Sequence, residues 1–93
     1  MVEDKLLIWK FKCGNRDALG RIYGKYKNYL LKLAIVLAND TNAAEDVVHD
    51  VFVSLARRNG ELSLRSSLKS YLNSCVVNRV RDIYRKAGRD RKP

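Results

Sequence analysis

The 93-residue sequence has almost no proline, because its one proline is the last residue, Pro93. Proline removes a backbone hydrogen bond and breaks the interior of a helix, so nothing before Pro93 interrupts a helix in that way. The sequence also lacks a stretch in which apolar and polar residues alternate, which is the pattern of a half-buried strand. Both absences favour an all-α fold.

Cysteine and histidine are scarce as well, since the chain has Cys13, Cys75 and His49. The two cysteines lie far apart, and neither belongs to a CxxC motif or to another metal-ligand spacing. We therefore expect reduced thiols, and neither a metal ion nor another cofactor. The sequence has no glycine-rich phosphate loop, no paired-carboxylate pocket and no recognisable nucleophile for His49. We therefore expect no catalytic residues and no enzyme activity.

Long apolar runs are missing too. No run approaches the ~18 residues that suggest a transmembrane helix, and the longest, residues 29–38, contains Lys32. The N-terminal residues lack the basic start and the long apolar core of a signal peptide. These absences predict a cytoplasmic protein that does not bind a membrane.

Negative charge is scarce in the C-terminal part of the chain. The formal net charge of the whole chain is +9. Residues 1–56 contain eight Lys/Arg and seven Asp/Glu, a net of +1, whereas residues 57–93 contain eleven and three, a net of +8. Positive charge concentrated in this way is typical of a surface that binds nucleic acid. A solvated basic helix followed by a tail would have the same composition.

Apolar residues recur at helical spacing in four segments. The first helix is predicted over residues 4–13, with Gly14 as its stop and Asn15 as the N-cap of a second helix over residues 16–38. Beyond Tyr29 the second helix is apolar nearly all round, which predicts that it is the central element. The aromatic residues at core-like spacing are predicted to pack rather than to contact nucleic acid, and they are Trp9, Tyr23, Tyr26, Tyr29 and Phe52.

The third helix is the most informative segment. A capping box of Asn42 and Glu45 is predicted to start it, and Asn59-Gly60 to stop it after Arg58. At about 100° per residue it has an apolar and a polar side. The apolar side, predicted to face the core, contains Val47, Val48, Val51, Phe52 and Leu55. The polar side contains Asp46, His49, Asp50, Val53 and Arg57. An acidic patch in a basic chain suggests a basic partner.

The fourth helix follows a loop over residues 59–65. Ser66 or Ser67 is predicted to cap it, and it is predicted to run to about Lys86. Its predicted core stripe is Leu68, Leu72, Cys75, Val76, Val80 and Ile83. The opposite side contains Ser70, Asn73, Ser74, Val77, Asn78, Arg81 and Arg85, with Tyr71 on the flank. Asp82 is expected to form a local ion pair with one of Arg79, Arg85 and Lys86.

The segment AEDVVHDVF, followed by a short polar loop and by LKSYLNSCVVNRVRDIYRK, resembles region 2 of bacterial RNA polymerase sigma factors of the extracytoplasmic-function (ECF) type. The resemblance extends from about Leu6 to Lys86. It implies one all-α domain over residues 1–86, a small bundle of three main helices plus a short N-terminal helix. Family members carry a second, helix-turn-helix domain (region 4), which has no counterpart in this sequence. Residues 87–93 are expected to be a basic tail or the start of an interdomain linker.

The resemblance also implies a protein partner for the third helix. In the family this helix docks on the clamp coiled coil of the largest subunit of core RNA polymerase. The positions that do so are occupied here by Asp46, His49, Asp50 and Val53. Glutamine is common in the family where this chain has His49. An anti-sigma factor is a further possible partner, because such proteins commonly bind this type of domain.

For the fourth helix and the loop before it, the resemblance implies binding to the −10 element of promoter DNA. The loop would form a pocket for one flipped base of the non-template strand. The residues implied in DNA binding are Asn59, Glu61, Ser63, Arg65, Ser70, Tyr71, Asn73, Ser74, Asn78, Arg81 and Arg85. The arginines suit phosphate contacts. Tyr71 suits stacking on an unpaired base as well as a half-buried place at the edge of the core.

These observations predict a transcription initiation factor domain that docks on core RNA polymerase and recognises and melts the −10 element. Two other functions remain open from the residues alone. A small basic helical protein that binds nucleic acid without polymerase would leave the acidic patch unexplained. A helical adaptor that binds only protein would make the basic charge incidental.

Overall fold

The computed structural model of the chain describes residues 2–58 and 67–90, which form four α-helices and no strand. Helix α1 spans Val2–Lys12, α2 spans Arg16–Ala38, α3 spans Thr41–Arg58 and α4 spans Leu68–Asp90. The predicted all-α fold, with three long helices and a short N-terminal one, is confirmed. None of the helices in these described ranges has the length and apolar character needed to cross a membrane.

The junction between α1 and α2 is built by a glycine and an asparagine, as predicted. Gly14 has a φ of +90°, a conformation that side chains rarely adopt. Its N–H donates to the Phe11 carbonyl at 3.0 Å, and the Asn15 N–H donates to the Lys10 carbonyl at 3.0 Å. This is the Schellman pattern of a helix end. The Asn15 side chain then accepts from the Asp17 N–H at 2.9 Å and caps α2.

The start of α3 differs from the prediction. Asn39, in the left-handed conformation with a φ of 54°, ends α2. The Asp40 carboxylate then accepts hydrogen bonds from the N–H groups of Asn42 at 2.9 Å and Ala43 at 3.3 Å. Asp40 is therefore the N-cap, and the predicted capping box of Asn42 and Glu45 is wrong. The charged Asp40 side chain at the helix N-terminus also interacts favourably with the helix dipole.

Helix α4 begins as predicted and ends later than predicted. The Ser67 hydroxyl accepts a hydrogen bond from the Ser70 N–H at 3.1 Å, which identifies Ser67 as a capping residue. The helix continues past Lys86 to Asp90. A glycine inside a helix, here Gly88, costs only about 1 kcal/mol relative to alanine. No proline precedes Pro93, so nothing in the sequence forces an earlier end.

The core lies around α2, which packs against each of the other three helices. This confirms the predicted central position of α2. The predicted core side of α3 is buried throughout, and α4 contributes Leu68, Leu72, Val76 and Val80, with Cys75 and Ile83 partly buried. Fully burying one such aliphatic side chain stabilises the fold by roughly 1.5–3 kcal/mol. The largest fully buried side chains are Ile22, Leu30, Val47, Leu55, Leu68, Leu72 and Val76.

The aromatic residues do not all pack as predicted. Tyr26 and Phe52 are buried, but Tyr23 and Tyr29 are 38% and 39% exposed and Trp9 is 63% exposed. Tyr23 covers the core from outside, because its ring meets the Phe52 ring edge to face at 4.8 Å. Tyr29 lies under the ammonium group of Lys69, 4.6 Å from the ring centroid. Trp9 lies on the side of α1 that no described helix covers.

A buried carboxylate fastens α1 to α2. Asp4 is 5% exposed; its Oδ1 accepts from Lys25 Nζ at 2.6 Å, and its Oδ2 accepts from the Tyr26 hydroxyl. Burial by itself would raise the pKa of Asp4, but these hydrogen bonds and the nearby positive charges outweigh burial, and the pKa lies below its ordinary value. Burial and the bond to Asp4 raise the pKa of Tyr26 to about 12.

Candidate functional site

The polar side of α3 forms a ridge between two grooves. Asp46 and His49 are exposed, whereas Asp50 and Val53 are partly buried. We call these four residues the α3 face. On one flank, Asp46 and His49 border a groove against α2. On the other flank, Asp50 and Val53 border a groove against α4. The chain therefore brings all four sequence-predicted docking residues together on one helix surface.

Asp50 is held by a partner that the sequence did not reveal. Its Oδ2 accepts a hydrogen bond from Nε of Arg79 on α4 at 3.0 Å, and Nη2 of the same guanidinium forms an ion pair with that oxygen at 2.9 Å. The two side chains are 43% and 37% exposed, so solvent screens this ion pair and its contribution to stability is modest. The pair ties the α3 face to the helix that carries most of the predicted DNA-binding residues.

Small polar residues and arginines cover the outward side of α4. We call this surface the α4 face, and it consists of Ser70, Ser74, Asn78, Arg81 and Arg85, all of which are exposed. The small side chains allow another molecule to approach the helix closely, and the two arginines supply positive charge. This combination suits a sugar–phosphate backbone.

Two predicted DNA-binding residues lie at the edges of the α4 face rather than at its centre. Tyr71 is half-buried beside Cys75, and the Arg58 guanidinium lies 6.0 Å from its ring centroid. Burial raises the pKa of the Tyr71 hydroxyl. Asn73 is half-buried, and its Oδ1 is buried without a hydrogen-bond partner among the residues described. Tyr71 therefore takes the core-edge position that the sequence left open beside stacking.

The groove between α3 and α4 joins the two faces. It is bordered by Asp50 and Val53 of the α3 face, by Asn78 of the α4 face and by Tyr71. A molecule that covers the α3 face therefore comes next to the α4 face. The predicted loop residues Asn59, Glu61, Ser63 and Arg65 lie outside the described ranges.

Asp82 does not form the local ion pair that the sequence predicted. No residue whose side chain is described pairs with it, because Arg79 turns to Asp50 instead. Helical spacing within α4 suggested the local pair, but the partly buried side chain of Arg79 extends toward α3. There the Asp50 carboxylate is within reach. The one signal in the sequence was the helical angle of Arg79, which lies near the core stripe of α4 at three residues after Val76 and four before Ile83. That angle directs a cationic side chain toward a neighbouring helix, but it does not identify the residue that it meets there.

The described ranges offer no metal centre, since no group of three or more His, Cys, Asp and Glu side chains there could hold an ion. Cys13 and Cys75 are both free thiols. Burial raises the pKa of Cys75, which disfavours the reactive thiolate. The described ranges carry two polar surfaces of different charge, the α3 face and the α4 face.

Comparison with known proteins found one protein family whose model matches this chain. Residues 22–90 match the family model described as Sigma-70 region 2. No curated protein and no solved structure shows a significant match. The matched segment contains most of α2 and all of α3 and α4, and so both the α3 face and the α4 face. Region 2 is a non-enzymatic part of sigma factors, which bind core RNA polymerase and promoter DNA in transcription initiation. The match covers well over half of the chain, and the chain therefore belongs to the sigma-70 region 2 family.

Proposed function

We propose that this chain is the polymerase-docking and promoter-melting domain of a sigma factor of the ECF type. The α3 face binds the clamp coiled coil of the largest polymerase subunit. The α4 face and residues 59–65 receive the −10 element. The observation that carries this proposal is the adjacency of an acidic face on α3 and a basic face on α4, with one groove between them.

The chemistry of the α3 face supports a basic helical partner. Asp46 is exposed and is available to an arginine of the coiled coil. Val53, which is partly buried, offers an apolar contact beside the charged residues. Charge pairs of this kind contribute orientation and association rate more than affinity. An anti-sigma factor that covered the same face would compete with polymerase directly.

The chemistry of the α4 face supports a nucleic-acid strand. Arg81 and Arg85 contact phosphates, and the small side chains of Ser74 and Asn78 let the sugar–phosphate backbone approach. Extruding a base from a duplex costs a few kcal/mol, which the protein must offset. Residues 59–65 supply the pocket for the extruded base. Binding only the open form of the −10 element shifts the equilibrium toward strand separation.

The first test is binding of the chain to purified core RNA polymerase and to the isolated clamp coiled coil. Asp46→Arg should abolish binding, since it places a positive charge against a basic partner. Asp50 is left intact in this variant because its substitution would also release Arg79. The matched control is Asp17→Arg, which makes the same charge change at an exposed position near the start of α2, away from the two grooves that border the α3 face.

The outcomes separate the proposal from the other functions. Loss of polymerase binding in Asp46→Arg, with binding retained in Asp17→Arg, supports docking through the α3 face. A folded chain that binds neither polymerase nor the coiled coil at low salt contradicts the proposal. A nucleic-acid-binding protein without polymerase would instead bind DNA more tightly after Asp46→Arg, because a negative charge has been removed.

A further inference from the structure

Helix α1 is apolar on two opposite sides. On one side, Leu7 and Phe11 are buried in the core, at 3% and 4% exposure. On the other side, Leu6 is 48% exposed and Trp9 is 63% exposed. The exposed Cys13 follows directly after the last residue of α1, and its N–H donates to the Trp9 carbonyl at 3.1 Å. We call these three residues the outer seam. A single amphipathic helix needs only the first of these sides to fold, so the outer seam is available to another molecule.

The outer seam has the spacing of a helix-pairing surface. Leu6, Trp9 and Cys13 are separated by three and then four residues, which are the a, d and a positions of a heptad. With Leu6 at a, the flanking g positions are Lys5 and Lys12, and the flanking e position is Lys10. Flanking charges at e and g decide which helix can pair with such a seam.

Positive charge surrounds the outer seam. None of the three flanking lysines forms an ion pair with a residue in the described ranges. The acidic residues of α1 are engaged elsewhere, since Asp4 is buried on Lys25 and Glu3 lies 3.7 Å from the same ammonium group. A partner with acidic e and g positions would therefore meet complementary charge at Lys5, Lys10 and Lys12.

We propose that the outer seam binds an amphipathic helix of another protein, one whose apolar seam is flanked by Asp and Glu. Helix α1 precedes the family-matched segment, which begins at residue 22, so this surface is additional to the α3 and α4 faces. A second copy of the chain does not fit, because pairing would place lysine against lysine. An anionic membrane fits less well, because α2 covers the opposite side of α1 and only two large apolar side chains could enter the lipid.

The test uses the whole chain and two synthetic three-heptad peptides. Both carry leucine at a and d, while one carries glutamate and the other lysine at e and g. Trp9 is the only tryptophan of the chain and lies in the seam, so its fluorescence reports binding at that place. The glutamate peptide should shift Trp9 emission to shorter wavelength in a saturable way. The lysine peptide should not.

Three variants locate the site. Leu6→Glu should weaken binding of the glutamate peptide at least about tenfold, which corresponds to 1.4 kcal/mol. Val36→Glu is the matched control, because Val36 is an apolar residue of α2 with 78% exposure, and it should bind as the wild type does. The double substitution Lys5→Glu and Lys12→Glu should reverse the preference between the peptides. Far-UV circular dichroism verifies that each variant is folded.

Each contrary outcome overturns the proposal. Equal response to both peptides would mean that the lysines do not select the partner, and no response to either would mean that the seam does not pair with helices. A blue shift with phosphatidylglycerol vesicles, without one for the glutamate peptide, would assign the seam to a membrane surface. Self-association that Leu6→Glu removes, seen in sedimentation equilibrium, would assign it to a second copy. None of these outcomes bears on polymerase binding, which the α3 face carries.

Discussion

The Asp50 carboxylate of α3 accepts a hydrogen bond from Nε of Arg79 on α4 at 3.0 Å, and Nη2 of that arginine forms an ion pair with the same carboxylate oxygen at 2.9 Å. One partner belongs to the α3 face, and the other belongs to the helix that carries the α4 face. Asp50 is thus engaged within the chain before any protein docks. A polymerase arginine that pairs with Asp50 has to displace Arg79 or share the carboxylate with it.

Removing Arg79 should therefore strengthen docking. In Arg79→Gln the carboxylate of Asp50 loses its internal competitor, and we expect binding to the clamp coiled coil to tighten by up to about fivefold, the equivalent of an exposed ion pair. The matched control is Arg21→Gln, which removes one positive charge from an exposed position on α2, away from the grooves that border the α3 face. Titration of the coiled coil by isothermal calorimetry measures both variants. Weaker binding of Arg79→Gln than of Arg21→Gln would show that the pair orients Asp50 for docking instead of competing with it.

Two glycines should respond to alanine with opposite signs. Gly14 has a φ of +90°, and Gly24 lies inside α2; an added Cβ would have no atom within 4 Å at either place. The backbone conformation at each glycine therefore decides how the substitution changes the free energy of unfolding. Gly14→Ala should destabilise the fold by about 1 kcal/mol or more, since alanine is strained at positive φ. Gly24→Ala should stabilise it by about 0.5–1 kcal/mol, because glycine is unfavourable in a helix. Urea unfolding followed by circular dichroism measures both.

The hydrogen bonds that Asp4 accepts from Lys25 and Tyr26 should make the stability of the fold depend on pH. The pKa of Asp4 is lowered in the folded chain, so its contribution is fully present above the unfolded pKa of about 3.9. The contribution is lost as the pH falls through the folded pKa. At pH 7, Asp4→Asn should reduce the free energy of unfolding by about 1.5–3 kcal/mol, as for hydrogen bonds to charged groups. Below about pH 4 the difference from wild type should shrink.

The control for this pH dependence is Asp82→Asn, an exposed carboxylate that should change stability by less than about 0.5 kcal/mol. At alkaline pH, the titration of Tyr26 provides a second check on the hydrogen bonds of Asp4. The pKa of Tyr26 is raised to about 12, so its contribution is present below the unfolded pKa of about 10 and is lost as the pH rises toward 12. A constant gap between wild type and Asp4→Asn from pH 7 to pH 3 would contradict the account of Asp4.

The helices and most of the core could be predicted because periodicity and capping chemistry are local. Gly14 and Asn15 each require only their own neighbours, and the valine stripe of α3 repeats within one helix. One local prediction failed, since Asp40 and not Asn42 caps α3. The other failures at the sites depended on residues far apart in the sequence. Arg79 could not be matched to Asp50 across 29 positions, nor Asp4 to Tyr26, since helical spacing carries no information on which faces meet. Trp9 looked like a core residue because α1 has two apolar sides and only one is covered.

Phosphate contacts made by the α4 face should be measurable in the salt dependence of DNA binding. The proposed function assigns Arg81 and Arg85 to phosphate contacts, and each contact that a protein makes to single-stranded DNA adds about 0.7 to the slope of log affinity against log salt. The Arg81→Ala and Arg85→Ala double variant should therefore reduce that slope by about 1.4 for a non-template −10 oligonucleotide bound to the chain on core polymerase.

A matched change elsewhere distinguishes a phosphate contact from a general loss of charge. Arg21→Ala together with Lys32→Ala removes two exposed positive charges from α2. That variant has the same net charge as the α4 variant, and its slope should remain close to that of the wild type, because counterions are released only where the protein touches phosphate. Fluorescence anisotropy over a series of salt concentrations gives the three slopes. If the two double variants lowered the slope equally, the positive field of the whole chain, and not the α4 face, would account for DNA binding.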